Sequence, residues 1–366
     1  MNPIFQTSFL SATHNPRIPL RWRGATALFF VVCIWLFSAG QLRADDDPFY
    51  EKQFASGEHE GHGGACSGTA RAAFRACRNE IRDDYWIAVG NCLNSSEEDC
   101  IELARQERAG AFGLCTEQRA ARFDLCNLIG EAAYDPEWSP GDFVNPLEIG
   151  SGVAPNPYFP LIPGMVWIYK STFENDEGES VTETITVEVR NETKRIRVGD
   201  VGEGVDCIVV NDVVEEDGAV IEDTDDWYAQ DRWGNVWYCG EIAKNFESFE
   251  GDDPNTPELV NIEGSWKAFR DGAKPGIIMQ AVPEVYQVYR QEISLGNAED
   301  AAEVISTSGT ESVPVASCDG TCVVTQEFTP IEPGVNANKY YAPDIGLILE
   351  VNPGGERVEL IDMYMQ

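Results

Sequence analysis

Histidine is almost missing from this chain, with 3 in 366 residues, at positions 14, 59 and 62. Everything beyond residue 62 must work without imidazole, which removes Ser-His and Cys-His nucleophile pairs and histidine-ligated catalytic metals from that part. Basic side chains are also scarce, 26 Lys plus Arg against 62 Asp plus Glu. The formal charge of −36 repels bare nucleic acid and anionic membrane surfaces and favours cations or basic partners. Solubility of an exported domain accounts for the same surplus. The chain contains no Gly-x-Ser-x-Gly elbow, phosphate loop or dinucleotide fingerprint. No Cys-x2-Cys pair is present to start a zinc site. Past Ala44 no stretch is apolar enough to span a bilayer.

One apolar run does occur, at the N-terminus. Arg17, Arg21 and Arg23 precede residues 25–39, and small residues and Asp45-Asp46-Asp47 follow. A basic start, about 15 apolar residues and a small-residue exit describe a secretory signal. Cleavage after Gly40 or Ala44 is expected. Cys33 lies inside the run, so 10 of the 11 cysteines remain in the exported chain, an even number suited to an oxidising compartment. The expected location is periplasmic or extracellular.

Six of those cysteines form a numerical palindrome. Their spacings are 11, 15, 8, 15 and 11, so Cys66 and Cys126, Cys77 and Cys115, and Cys92 and Cys100 all add to 192. A constant sum is what level pairing across an antiparallel hairpin requires. Ala70, Ala73, Cys77, Ile81, Tyr85, Ala88 and Cys92 recur at helical steps, and Cys100, Ala104, Ala111, Cys115 and Cys126 continue the stripe. Small alanines permit the close approach that a disulfide demands. Ser95 or Ser96 is the expected cap of the second helix, with Glu98 or Asp99 completing a capping box, and Gly130 is its expected stop. The reading is a three-rung disulfide ladder between two helices.

The rest of the chain reads as strands. In residues 181–190, Val181, Ile185, Val187 and Val189 share one face with Glu183, while threonines, Glu188 and Arg190 take the other. Residues 205–214 are apolar on both faces, as in a central or barrel strand. Asp217-Gly218, Trp233-Gly234-Asn235, Asp319-Gly320 and Gly354-Gly355 suit hairpin turns. Cys318 and Cys322 lie across one such turn and are expected to bridge, leaving Cys207 to pair with Cys239. The expected fold is mainly β with a separate α part: a disulfide-laddered antiparallel helical hairpin followed by a curved antiparallel β-sheet or open-barrel domain. The segments are a signal peptide (1–44), a flexible Gly/His/Glu-rich lead-in (45–65), the hairpin (66–130), a Pro-rich linker (131–159) and the β domain (160–366).

Several short motifs resemble a family. They are Asn156-Pro157-Tyr158-Phe159-Pro160-Leu161 with Pro163-Gly164 and Trp167, then Asp226-Trp227-Tyr228-Ala229-Gln230-Asp231 with Gly234-Asn235-Val236-Trp237-Tyr238. Gly272-Ala273-Lys274-Pro275-Gly276, Tyr289-Arg290-Gln291-Glu292 and Lys339-Tyr340-Tyr341-Ala342-Pro343 followed by Gly346 complete the set. Together they look like a family of exported bacterial proteins with no assigned activity. The closing segment is also similar to curved-sheet domains of some pilus-assembly and envelope proteins. The resemblance implies an envelope or extracellular setting and brings no catalytic residues.

Candidate chemistry falls into four groups. His59 and His62, with Glu58 and Glu60, offer copper or zinc ligands in the lead-in, where a solvated linker is the plainer reading. Glu222, Asp223, Asp225, Asp226 and Asp231, with Asn235, offer oxygen ligands for calcium, although the Asp-x-Asp-x-Asp-Gly spacing is absent. Asp231 also suits the first position of a turn. Trp227, Tyr228, Trp237, Tyr238 and Tyr340 are candidates to line a groove for a glycan, lipid or protein ligand, against core packing as their default. Alternation turns one member of each Trp-Tyr pair away from its neighbour. Glu292, Glu299 and Asp300, flanked by Tyr286, Tyr289 and Arg290, are candidates for a glycosidase-like carboxylate pair. The functional expectation is an exported acidic binding or structural protein without evident catalytic machinery. A secreted carboxylate-dependent hydrolase is the alternative.

Overall fold

Two long amphipathic segments open the ordered part of the chain, α1 (Ala65–Leu93) and α2 (Cys100–Ile129). In this computed structural model the described residues are 64–95, 98–175, 178–198, 203–249 and 251–366. The signal segment and the lead-in with His59 and His62 lie outside them. Cys66–Cys126, Cys77–Cys115 and Cys92–Cys100 are bridged, with Cα separations of 5.7, 6.0 and 5.6 Å. Ala70, Ala73 and Ala104 are buried between the helices, because only a methyl group fits at that spacing. The Glu131 carboxylate accepts from the Ser67 amide and hydroxyl, capping the first turn of α1. Gly130, at φ 91°, ends α2 as expected. The expected serine cap is not what starts that helix: Asp99 precedes it in the left-handed region and makes no side-chain cap.

The remaining chain forms one antiparallel sheet. Its first half is β1 (Met165–Glu174), β2 (Ser180–Ile196), β3 (Val205–Glu216), β4 (Ala219–Gln230), β5 (Val236–Glu247), β6 (Glu258–Asn261), β7 (Trp266–Lys267) and β8 (Lys274–Met279). Its second half is β9 (Val288–Arg290), β10 (Glu292–Ile293), β11 (Ala301–Val313), β12 (Ala316–Phe328), β13 (Asn336–Ala342), β14 (Gly346–Val351) and β15 (Arg357–Met365). The strand order is β10-β8-β5-β4-β3-β2-β1-β15-β14-β13-β12-β11-β9, with β6 and β7 also on β5. The two ends of that path, β10 and β9, are separated in sequence by Gln291 alone, so the sheet curls into a nearly closed barrel. At the seam Gln291 and Glu292 both donate their amides to the Asp300 carbonyl. A Cβ on Gly276 would overlap the Gln291 backbone. Glycine is what lets β8 reach the seam.

The motifs that carried the family resemblance turn out to lock this barrel. Asn156 accepts from the amides of Tyr158 and Phe159 and donates to the carbonyls of Gly234 and Gln280. Phe159 and Leu161 enter the core. Gly346, at φ 96°, packs its Cα side against Pro160, and Trp167 Nε1 donates to the Ile345 carbonyl at 2.9 Å. Residues 131–159 run along the sheet and lay Trp138 and Phe143 on its outer surface.

Two cysteine expectations need correction. Cys207 on β3 and Cys239 on β5 are buried and unbridged. Strand β4 lies between them, and two strand spacings, about 9.5 Å, exceed the about 4.4–6.8 Å Cα span of a disulfide. Their thiols face each other, and burial pushes the Cys207 thiol well above its ordinary range. Cys318 and Cys322 are bridged, at a Cα separation of 5.6 Å, but not across a hairpin turn. Both lie within β12, opposite Glu311 and Gly309 of β11. The bridge closes a bulge of residues 319–321, and the hairpin turn comes earlier, between β11 and β12.

Candidate functional site

Strand alternation decides which polar residues meet. On β3 and β4 the even-numbered positions Val210, Asp226 and Tyr228 face the barrel interior, where they line an apolar cavity of about 30 Å³ with Phe159, Trp167 and Tyr169. That volume holds one water-sized group, so this cavity is a gap in packed side chains and not a ligand chamber. The opposite face of these strands is outward, and the bulge between Val214 and Glu215 brings Val220 to it as well. There Arg190, Asn211, Val213, Val220, Asp223, Phe246 and Pro257 line a surface groove of about 510 Å³, within the size range of small-molecule sites.

A connected polar row runs from Arg190, Asn211 and Asp223 of the lining to Asp225 and Lys244 beside it. Asn211, opposite Asp225 in the β3–β4 register, donates from Nδ2 to Asp223 Oδ1 at 2.8 Å and to Asp225 Oδ1 at 3.3 Å. Its Oδ1 accepts from Arg190 at 2.8 Å. Arg190 also reaches Asp225 Oδ1 at 3.3 Å. Alternation after the buried Val189 puts Arg190 on the outer face of β2, at the point where the strand's register with β3 shifts. Lys244, directly opposite Asp223 on β5, donates to Asp223 Oδ2 at 3.0 Å. The four charged side chains are about one-third exposed, at 35 and 30% for Arg190 and Asp225 and 34% each for Lys244 and Asp223. Asn211 is buried. Burial pulls the Asp223 carboxyl up, but bonds from Lys244 and Asn211 outweigh it and hold the group below its ordinary value. Val213, Val220, Phe246 and Pro257 supply the apolar wall. Pro257 comes from the connection into β6, which pairs with the end of β5.

The acidic residues singled out for calcium are therefore dispersed. Asp223 lines the groove and Asp225 lies beside the lining, joined to it through Arg190 and Asn211; Lys244 engages Asp223. Asp226 points inward and accepts from Tyr238 at 2.6 Å; burial pushes it up to about 7, against that bond. Glu222 lies inward as well, accepting from Thr224, and burial raises it to about 7. Asp231 is the turn residue that its position suggested. Its Oδ1 accepts from the Trp233 and Asn235 amides, and its Oδ2 from Asn235 Nδ2 and Trp237 Nε1. Among the described residues no three Cys, His, Asp or Glu side chains converge as a metal site would require.

The aromatic set is split in the same way. Tyr228 and Tyr238 stack inside the barrel with centroids 4.8 Å apart. Trp237 lies outside under Trp138 and Phe143, and Lys194 sits 4.9 Å over the ring of Trp227. Tyr340 packs against the core from a half-buried position on β13, away from these. No single groove contains them. Nor do the hydrolase candidates share a cleft. Glu292 and Glu299 are buried. Burial, with the charges of Asp300 and Glu241, drives Glu292 well above the carboxylate range. Glu299 is held by Arg122 in a two-pronged pair at 2.8 and 2.7 Å. Arg290 lies against Cys66 Sγ and the ring of Tyr134, while Tyr286 is 82% exposed.

No protein-family profile matches the chain, and no curated protein matches it. Among solved structures, one match is a protein of Bacteroides fragilis described as exported with a YmcC-like fold, at 14% identity and a TM-score of 0.31, covering 57% of this chain and 98% of that one. Another is a protein of Parabacteroides distasonis described as a lipoprotein, at 12% identity and a TM-score of 0.30, covering 58% of this chain and 100% of that one. Likenesses at this level assign no residue a role.

Of the residues that line the groove, the sequence singles out Asp223 as a ligand candidate, with Asp225 just beside it, and gives no sign of Asn211, Val213, Val220, Phe246 or Pro257, nor of Lys244, which engages Asp223. Arg190 was visible only as a polar-face strand residue. The signal that joins them is cross-strand register, Asn211 opposite Asp225 and Asp223 opposite Lys244, and bulges at three places displace that register from simple counting.

Proposed function

We propose that the protein is an exported binding protein whose recognition site is the groove on the outer face of β2–β5. The observation that carries this reading is a concave surface of about 510 Å³ lined by polar Arg190, Asn211 and Asp223 and by apolar Val213, Val220, Phe246 and Pro257. Small-molecule sites have this composition, mostly apolar lining with a few placed polar groups that fix orientation. The groove is built on paired strands, and each polar side chain is held by a neighbour, which reduces the ordering cost of binding. Four disulfides support an oxidising compartment, as does the N-terminal signal pattern.

The test is saturation-transfer NMR on the signal-free chain with a library of small fragments, repeated on Val220→Trp, which fills the groove from a position near the β3–β4 turn. The reading expects fragments that bind the parent chain to lose their signal in the variant while its melting temperature stays near the parent value. Fragments that bind both proteins equally, or none at all, would remove the groove from consideration.

A further inference from the structure

We infer that the ligand of this groove is a neutral carbohydrate, a pyranose with adjacent hydroxyls presented to the Arg190–Asn211–Asp225 row. This rests on the groove being the binding site. Four features select the class.

The first is charge. Two cations, Arg190 and Lys244, face two carboxylates, Asp223 and Asp225, at 3.3 and 3.0 Å in their ion pairs. The row is formally neutral, so a charged ligand gains nothing from it, and the −36 of the whole chain opposes anions at longer range. The second is the pattern of open valences. Asp225 Oδ1 takes the bonds from Arg190 and Asn211, and neither of those bonds uses its second oxygen. Arg190 spends NH1 and NH2 on these partners, leaving donor capacity on the same guanidinium, and Lys244 has three donors with one recorded on Asp223. At the edge of the groove, where Arg190 and Asn211 of the lining meet Asp225, an acceptor thus adjoins donors, and vicinal hydroxyls, each able to donate and accept, meet both at once.

The third feature is the wall. Phe246 and Pro257, with Val213 and Val220, form an apolar surface beside the polar row. A sugar ring has the same two-sided character, C–H faces and a hydroxyl rim. The fourth is what the set disfavours. Calcium needs six to eight oxygen ligands, and here both carboxylates are already shared with cations. A free amino acid needs one unpaired guanidinium and one unpaired carboxylate, whereas Arg190 and Asp225 bind each other.

The experiment is isothermal titration of the signal-free chain with a panel of neutral mono- to tetrasaccharides, and separately with amino acids and dipeptides. At least one neutral saccharide should bind, with an affinity that changes little between about 50 and 500 mM salt, as expected when no ligand charge is screened. Asp225→Asn and Arg190→Met should each weaken it at least about tenfold, with Tm unchanged. Binding by amino acids or dipeptides alone, abolished by Val220→Trp, would overturn the carbohydrate assignment and leave the groove standing. Saccharide binding that is indifferent to Val220→Trp would overturn both. No saccharide binding overturns the inference.

Discussion

The Tyr238 hydroxyl donates to Asp226 Oδ1 at 2.6 Å inside the barrel, where neither residue reaches solvent. Even so, burial dominates and Asp226 rises from 3.8 to about 7. Glu222 rises to about 7, and so does Asp300, again through burial. Asp226 and Glu222 interact, so they titrate as a pair. In the unfolded chain these carboxyls ionise near pH 4, whereas in the fold they keep their protons until near pH 7. The folded state thus holds extra protons across that window. Its stability is greatest below it and falls as pH rises through it, by on the order of 1.4 kcal/mol per pH unit for each such group. Melting temperature should drop between about pH 4 and pH 7 and level off above it, and Asp226→Asn should flatten the slope. A melting temperature that held steady or climbed over that range would contradict this account of the interior.

The helical hairpin is fastened to the barrel by a buried ion pair. Arg122 and Glu299 have side-chain exposures of 6 and 2%. Removing Arg122 leaves the buried Glu299 without its two-pronged partner, with the Gly296 amide and the charge of Arg290 beside it, at a cost of up to about 3–5 kcal/mol. Replacing both with apolar residues of similar volume is close to neutral by the same argument. Urea unfolding of Arg122→Met alone should show the loss, and the Arg122→Met, Glu299→Leu double variant should recover most of it. Equal stability of the single and double variants would mean that the pair does not fasten the hairpin.

The thiol inventory is a direct check on the disulfides. The signal-free chain should show two alkylatable thiols in denaturant, Cys207 and Cys239, and none in the native protein, where both are buried. Mapping under non-reducing conditions should recover Cys66–Cys126, Cys77–Cys115, Cys92–Cys100 and Cys318–Cys322. Finding no free thiol after unfolding would show that β3 and β5 approach more closely than two strand spacings.

The hairpin was legible because its information is local and arithmetic. Mirror spacings fix which cysteines are level, and helical steps fix which face they share. The period-2 pattern likewise put Ile185, Val187 and Val189 on the buried face together with Glu183, and all four are buried there. What the sequence hid depends on partners far along the chain. Asp319-Gly320 carries turn chemistry but sits in a bulge, because the actual turn at Pro314-Val315 looks weaker by composition. The groove needed β2, β3, β4 and β5 in register at once, and the bulges after Val189, Val214 and Trp227 shift that register. Consecutive acidic residues suggested one site, whereas pleating sent Asp225 and Asp226 to opposite sides of a wall.

The neighbour of β1 on one side is β2, but on the other it is β15, with Met165 level with Met365. The earliest strand to leave a ribosome or a translocation pore therefore waits for the last one, some 200 residues later, before its second row of amide partners exists. The ring cannot close before both halves of the sheet have been made. Until then β1 presents a bare edge, so the interval between emergence and closure is when the nascent chain is most exposed to mispairing and to folding helpers at the exit side.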